Sequence, residues 1–507
     1  MLKFRMILIT SLLLTFFITI LMLLVYFIDS YINSPFYIVI IVYLLNIILS
    51  FIILSSDRRH DTKITWTIII FAVPIFGAIS YFLFGRKFAY RINQKRFLEQ
   101  KSSFIKQRAK EWEQNDNLIE HKNLSTYYKR QFEYITSLTD SPFQLLKDYE
   151  ILKNGNEAYL EIFQSLEKAK KQIFLSAYII SDGLVFDTLL NILEKKVKED
   201  VKVYLIYDGI GSYSDISQIN LIKLHRSGID VCEFTLKSKF LLGTTLNYRY
   251  HRKIIIIDGQ VGFFGGINFG NEYASITSKF GYWEDYFIKI TGNGVYQLEK
   301  IYIYDWTSVS KIPIKSMAKL SNDEGNSGYL AFIPSGPIYK NSIIMEVLLS
   351  LINNAIDSID ISTPYLICPD EIIRALQNAS MRGVKIRLIT PSLPDKKIIL
   401  DATRETYKIL IPYGIEIYET QNLFVHSKII IIDKDFSLLG SLNFDNRSFY
   451  QNFELTGFFY SSKVNQEISE KFETLLRSSS QITEEKLILF RLGFLRKWII
   501  RILSPLY

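Results

Sequence analysis

Cysteine is the scarcest reactive residue of this 507-residue chain, with only Cys232 and Cys368 present. Two residues so far apart make neither a disulfide framework nor a cysteine-based zinc site, and a pair of buried free thiols is the expected state. Histidine is nearly as rare, with five in all, so the position of each one carries information. Charge is missing altogether from three long stretches near the N-terminus, Met6–Ile28, Phe36–Leu54 and Ile64–Phe84. Each approaches the roughly 20 apolar residues that cross a bilayer as a helix. Three such runs in succession argue against an ordinary soluble domain over residues 1–90. The first has no small-residue cleavage site after it, so it is read as retained rather than as a signal peptide.

Hydrophobic residues make up 49% of the chain, yet 22% are charged. That balance describes a membrane region joined to a large folded body. The net charge of +8 favours anionic partners: nucleic acid, anionic lipid or phosphorylated substrates. Arg58, Arg59 and Lys63 separate the second and third apolar runs, and Arg86, Lys87 and Arg91 follow the third. Two crossings with a re-entrant third segment, bent at Pro74 and Gly77, would put every basic cluster on the cytoplasmic side. Residues 91–144 read as a polar connector along the membrane surface or as an ordinary solvated helix. Residues 484–507 mix Phe490, Trp498 and Ile499 with Arg491, Arg496 and Lys497, as suits a basic amphipathic helix at an anionic interface. Docking against the body is the alternative.

From about residue 145 short β-like runs alternate with amphipathic stretches, which indicates an α/β body, and the region repeats itself. Helical Ala158–Lys170 and strand-like Gln172–Ile180 are echoed by Ile343–Ala355 and Ser358–Ile367. Val201–Ile206 is echoed by Val384–Ile389, and Gly228–Val231 by Gly414–Ile417. The expected architecture is therefore two tandem α/β/α halves, residues 145–320 and 329–480, related by a pseudo-twofold axis and preceded by transmembrane helices. Each half would hold a parallel or mixed sheet covered by helices.

The sharpest signal closes each copy. The first reads His251-Arg-Lys253-Ile-Ile-Ile-Ile-Asp258, then Gly265-Gly266-Ile-Asn268; the second reads His426-Ser-Lys428-Ile-Ile-Ile-Ile-Asp433, then Gly440-Ser441-Leu-Asn443. Every matching residue recurs at one offset of 175 positions. Alternation on an extended strand puts each His and Lys on the same face. If the halves pack about a pseudo-twofold axis, both pairs meet around one point.

Two imidazoles and two ammonium groups suit a phosphodiester. The lysines, with Asn268 and Asn443, would hold the non-bridging oxygens. One histidine would attack phosphorus while the other protonates the departing oxygen, with roles reversed in a second step. Gly266 and Ser441 would let the backbone come close to a neighbouring strand or to the phosphate. Asp258 and Asp433 complete the motif and join the candidate catalytic set, although their place after a buried strand favours a structural role. No metal or other cofactor is called for.

The duplicated His-x-Lys-x4-Asp pattern resembles the phospholipase D superfamily over residues 145–475. Within it, Asn271-Glu272-Tyr273, Gly281-Tyr-Trp283-Glu-Asp285 and Asn443-Phe-Asp445-Asn-Arg447-Ser448 resemble the bacterial cardiolipin synthase family. So does the hydrophobic stretch Trp66–Arg86; the additional run Met6–Ile28 departs from that family's simplest members. The resemblance implies a membrane-bound phosphatidyltransferase that acts on phosphatidylglycerol through a phosphohistidine, without metal. It further implies an acidic residue orienting each histidine: Glu454 for His426 and Asp285 for His251, with His251 the habitual nucleophile. A hydrolase, transfer to another alcohol, a nuclease and a non-catalytic scaffold are the competing readings. The membrane region weighs against nucleic acid as partner, and two intact motifs weigh against a scaffold.

Overall fold

The repeat builds two sheets of the same design. In the first, the strands run in spatial order Tyr149–Leu152, Phe287–Thr291, Val261–Gly265, Ile254–Ile257, Gln172–Ala177, Lys202–Tyr207 and Asp230–Glu233. The second runs Tyr329–Ser335, Asn452–Tyr460, Phe436–Gly440, Ile429–Ile432, Ser358–Ser362, Lys385–Pro391 and Glu416–Thr420, with Gln144–Leu145 and Ser479–Gln481 added at its edges. The strand senses match one for one: the last three of each series are parallel and the others antiparallel. This is a computed structural model, and it describes residues 36–56, 58–85, 126–139, 141–234, 247–277, 281–320, 325, 327–339, 342–393, 395–490 and 492–506.

The local sequence explains the central strands. Ile254–Ile257 and Ile429–Ile432 each lie between two antiparallel neighbours and are buried along their whole length. A strand covered on both faces reads as a continuous apolar run, not as an alternating one. Helices that cover the sheets start at polar caps: the Asn154, Ser342 and Ser461 side chains accept the amides of Glu157, Met345 and Val464, which satisfies donors that a helix start leaves open.

The packed body begins before residue 145. Helix Thr126–Thr139 buries Phe132 and Ile135 in the core of the second half, and Phe132 stacks on Phe143 at 3.9 Å. This end of the expected connector is a docked helix; residues 91–125 lie outside the described residues. At the C-terminus, Phe494–Leu503 docks through Ile500 against Ile367 and Ala402. It turns Phe494 and Trp498 outward.

The N-terminal helices and the two sheets fall into separate compact units. Among the described residues no helix is long and apolar enough to cross a membrane; the nearest is Phe36–Leu54, with 19 residues. The run Met6–Ile28 lies outside the described residues. The third apolar run is divided: His60–Ala72 and Pro74–Ser80 are separate helices, followed by a π-helical turn Tyr81–Gly85. Pro74 has no N–H for the carbonyl of Ile70. Asn46, buried on helix Phe36–Leu54, donates Nδ2 to that oxygen at 3.4 Å and to Pro74 O at 3.3 Å.

Candidate active site

Two short parallel pairings knit the halves together. Arg249–Tyr250 lies beside Asn452–Phe453, and Leu423–Val425 lies beside Tyr282–Glu284. The stretch leading to each motif histidine therefore runs alongside the stretch leading to an acid of the other half. The register continues one residue further, with His251 N donating to Phe453 O at 2.9 Å and His426 N to Glu284 O at 2.7 Å. Each histidine thus stands at the end of such a pair, immediately before a buried isoleucine strand.

This register sets the histidine partners, and they are exchanged relative to the expectation from sequence. Nδ1 of His251 is 2.8 Å from Glu454 Oε2, and Nδ1 of His426 is 2.6 Å from Asp285 Oδ2. Each half supplies the acid for the other half's histidine. An ionised carboxylate can only accept, so Nδ1 carries the hydrogen and Nε2 keeps its lone pair. Each lysine donates Nζ to the carbonyl of its own motif histidine, Lys253 to His251 O at 2.7 Å and Lys428 to His426 O, and Lys428 Nζ also lies 2.8 Å from Nδ1 of His426.

Both lysines and both histidines are buried, and burial is the largest influence on all four. It drives His251 down to about 4, helped by the Lys253 and Lys428 charges and opposed by Glu454. His426 is held well below its usual range by burial, the two lysines and His251. Lys253 falls well below the ordinary ammonium value, and Lys428 to about 8, against the pull of Asp285 and Glu454. The motif groups of the two halves feel one another's charge, so they share one site. Burial and mutual repulsion disfavour full protonation of these four groups, and a bound phosphodiester would add negative charge that favours it.

The two acids differ. Burial raises Asp285 to about 6 despite the nearby Lys428. Glu454 is equally buried, but the His251 charge and hydrogen bonds from His251 and Ser441 outweigh that and lower it. Ser441 Oγ donates to Glu454 Oε2 at 2.5 Å, and Asn452 Nδ2 to Oε1 at 3.1 Å. The counterpart of Ser441 is Gly266, where a Cβ would sit 2.4 Å from Asp285 Oδ1. Ser441 and Gly266 therefore serve the two acids, one by a hydrogen bond and the other by making room, in place of the direct phosphate contact expected of them.

Three further expectations change. Asp258 accepts the amides of Lys170, Lys171 and Gln172, and Asp433 those of Ile356, Asp357 and Ser358. They sit at the far ends of the isoleucine strands from the histidines and tie down the loop before the neighbouring strand, which is a structural role and not a catalytic one. Asn268 is also occupied: Oδ1 accepts from Tyr178 N and Ile179 N, and Nδ2 donates to Tyr273 Oη. Its counterpart Asn443 is buried with Oδ1 unpartnered. Pro364 stands where the repeat has Tyr178 and brings no N–H to that oxygen.

Sequence reading passed over the residues between His and Lys. Arg252 is fully buried, with Nη1 2.6 and 2.7 Å from the two Asp305 oxygens, Nη2 3.0 Å from Ser335 O and Nε 3.0 Å from Glu454 O. It braces the chain that carries the His251 partner. Ser427 Oγ donates to Glu284 Oε2 at 2.7 Å, beside Asp285. Alternation along the strand turns these residues away from the site, and only their long-range partners identify them. Among the described residues no group of three or more His, Cys, Asp or Glu side chains could hold a metal ion.

Residues 162–279 and 348–476 match the family model described as "Cardiolipin synthase, PLD-like domain", and residues 44–86 match "Phospholipase_D-nuclease N-terminal". A cardiolipin synthase of Geobacillus sp. is 32% identical over 445 residues, 87% of each chain. Cardiolipin synthase 2 of Bacillus anthracis is 33% identical over 463 residues, 90% of this chain and 88% of its own. A cardiolipin synthase of Oceanobacillus iheyensis is 33% identical over 484 residues, 91% of this chain and 97% of its own. Among solved structures, phosphatidylserine synthase of Haemophilus influenzae superposes with a TM-score of 0.55 at 15% identity, over 75% of this chain and 100% of its own. That likeness concerns the fold alone.

Proposed function

The chain belongs to the bacterial cardiolipin synthase family of phospholipase D-like proteins, and from that membership we propose that it joins two phosphatidylglycerol molecules into cardiolipin and glycerol. The observation that carries the chemistry is the pair of buried histidines, each held at Nδ1 by an acid of the opposite half. Their depressed basicity keeps the attacking ring neutral with its Nε2 lone pair available, and the negative charge of a bound phosphodiester favours the proton that the other ring must carry.

Lys253 and Lys428 receive the non-bridging oxygens of the donor phosphodiester. Nε2 of one histidine attacks phosphorus. The phosphorus–oxygen bond to the glycerol headgroup breaks, and the protonated second histidine supplies the proton that makes it free glycerol. A hydroxyl of a second phosphatidylglycerol then loses its proton to that second histidine and attacks the phosphohistidine, which releases the first ring and forms cardiolipin. Glu454 and Asp285 fix the tautomers and offset the charge that develops on each ring.

The place of action is the bacterial cell membrane, with the N-terminal apolar segments as a multi-pass anchor and the catalytic body facing the cytoplasm. Ile41, Leu44, Leu45, Ile48, Phe51 and Ile52 are exposed around helix Phe36–Leu54, a surface that favours lipid over water. The outward Phe494 and Trp498, among basic residues, suit contact with the anionic lipids of the same surface.

The test is to supply purified protein in vesicles with labelled phosphatidylglycerol and to resolve the products. Cardiolipin with matching glycerol is expected, and His251→Ala and His426→Ala should each abolish it. Phosphatidic acid alone would make the protein a hydrolase, and near-full transfer by either variant would refute the shared site.

A further inference from the structure

The duplicated chemistry accounts for one phosphate, but cardiolipin carries two. Arg249 stands two residues before His251, a distance of ~6.6 Å along extended chain, comparable with the glycerol bridge between the two phosphates of the product. Tyr178 ties it to the catalytic pair. Arg249 lies within electrostatic reach of this tyrosine, whose ring meets the His251 ring edge-on at 4.8 Å and lies 5.4 Å from Lys253 Nζ.

A second guanidinium, Arg447 of the other half, exerts its charge on both Arg249 and Tyr178. Arg249 is paired in register with Asn452. Asn452 Nδ2 lies 3.5 Å from Ser448 Oγ, on the short helix that carries Arg447. The two cations are close enough to disfavour each other. Burial lowers Arg249 below its usual value and Arg447 adds to that, against the attraction of Asp208. Asp208 is the larger of these two charge effects on Arg249, and its carboxylate also accepts the amides of Ile210, Gly211 and Tyr250.

The repeat breaks at this pair. At the offset that relates the two motifs, Arg249 corresponds to Phe424 and Arg447 to Glu272. The His426 side has an aromatic ring and an acid where the His251 side has two cations. A feature confined to one side serves something the two halves do not share, and donor and acceptor differ in that way.

We propose that Arg249 and Arg447 form a second phosphate subsite that holds the headgroup phosphate of the acceptor lipid. A phosphodiester there relieves the repulsion between two partly desolvated guanidiniums and matches their forked donors. The subsite selects a lipid hydroxyl over water and small alcohols once the phosphohistidine has formed. This rests on the transferase reading above.

The test compares two acceptors in one reaction. Vesicles containing phosphatidylglycerol are incubated with labelled glycerol, which the phosphohistidine must accept as the reverse of its own formation. Cardiolipin formation is measured against label entering phosphatidylglycerol. Arg447→Gln and Arg249→Gln should each lower the ratio of cardiolipin to exchange at least tenfold, and Arg447→Lys should restore part of it. An unchanged ratio in both glutamine variants, whether the two products fall together or neither falls, overturns the subsite; equal loss is what general attraction to an anionic membrane would give. If one glutamine variant makes neither product, the ratio in the other decides. Wild-type protein that exchanges glycerol but makes no cardiolipin would instead overturn the transferase reading.

Discussion

The exchange of acids between halves can be tested by a double-mutant cycle on stability. His251→Ala and Glu454→Gln each remove one side of a buried 2.8 Å contact. A hydrogen bond to a charged group is worth about 1.5–3 kcal/mol. Glu454 keeps Ser441 and Asn452 when His251 is lost, so the His251–Glu454 coupling should fall near the lower end, about 1.5–2 kcal/mol. Besides His426, the Asp285 carboxylate is bonded at Oδ1 to the amide of Tyr286. Its coupling to His426 should be larger, about 2–3 kcal/mol. For a body of this size each kcal/mol moves Tm by about 2 °C, so non-additivity on the order of 3–6 °C is expected in thermal unfolding of the purified protein. The same cycle on His251 with Asp285, or His426 with Glu454, should give at least about 1 kcal/mol less. A His251–Asp285 coupling larger than His251–Glu454 would show that the acids serve their own halves, and the crossed geometry would be wrong.

Other outcomes follow from the same contacts. The pH profile of kcat/KM should be bell-shaped. It should fall below about 6 as Asp285 takes up a proton and ceases to face His426 as an anion, and above about 8 as Lys428 loses its proton. A flat profile between those values and a unit beyond each contradicts this, and Lys428→Arg should move the alkaline limb upward. Asp258→Ala removes the acceptor for three amides at a residue with φ of 52°. It should lower stability by about 2–3 kcal/mol in denaturant unfolding, while activity per folded molecule stays within about threefold. Gly266→Ala pushes a Cβ against Asp285 and should cut kcat by about 100-fold with unchanged KM; a KM effect alone would place Gly266 at the substrate after all. Asn46→Leu strips the Ile70 and Pro74 carbonyls of their donor. It should destabilise the N-terminal helices by about 1–3 kcal/mol, seen as faster amide exchange confined to residues 60–80.

Much of the site is local enough to read from sequence. His251 with Lys253 and His426 with Lys428 are two residues apart, so backbone geometry alone groups each pair. The four-isoleucine runs announce buried strands because burial on both faces requires them to be apolar. The repeat offset then aligns the two copies element by element. Arg249 carried a signal as well, since it alternates with His251 and Lys253, and its mismatch with Phe424 was visible in the same alignment.

What sequence spacing could not show is which groups meet across the halves. The family resemblance paired His251 with Asp285 and His426 with Glu454, each motif with an acid that follows it in the same half. The parallel pairings of Arg249–Tyr250 with Asn452–Phe453 and of Leu423–Val425 with Tyr282–Glu284 exchange them. The roles of Gly266, Ser441, Asn268 and Asp258 changed for the same kind of reason: each is set by the carboxylate or amide that a distant segment brings within hydrogen-bonding reach. The kind of chemistry is legible along the chain, because the motif residues lie within a few positions of one another on one extended segment. The division of labour among them is set in space, because hydrogen bonds and charge act over a few ångströms whatever the separation along the chain.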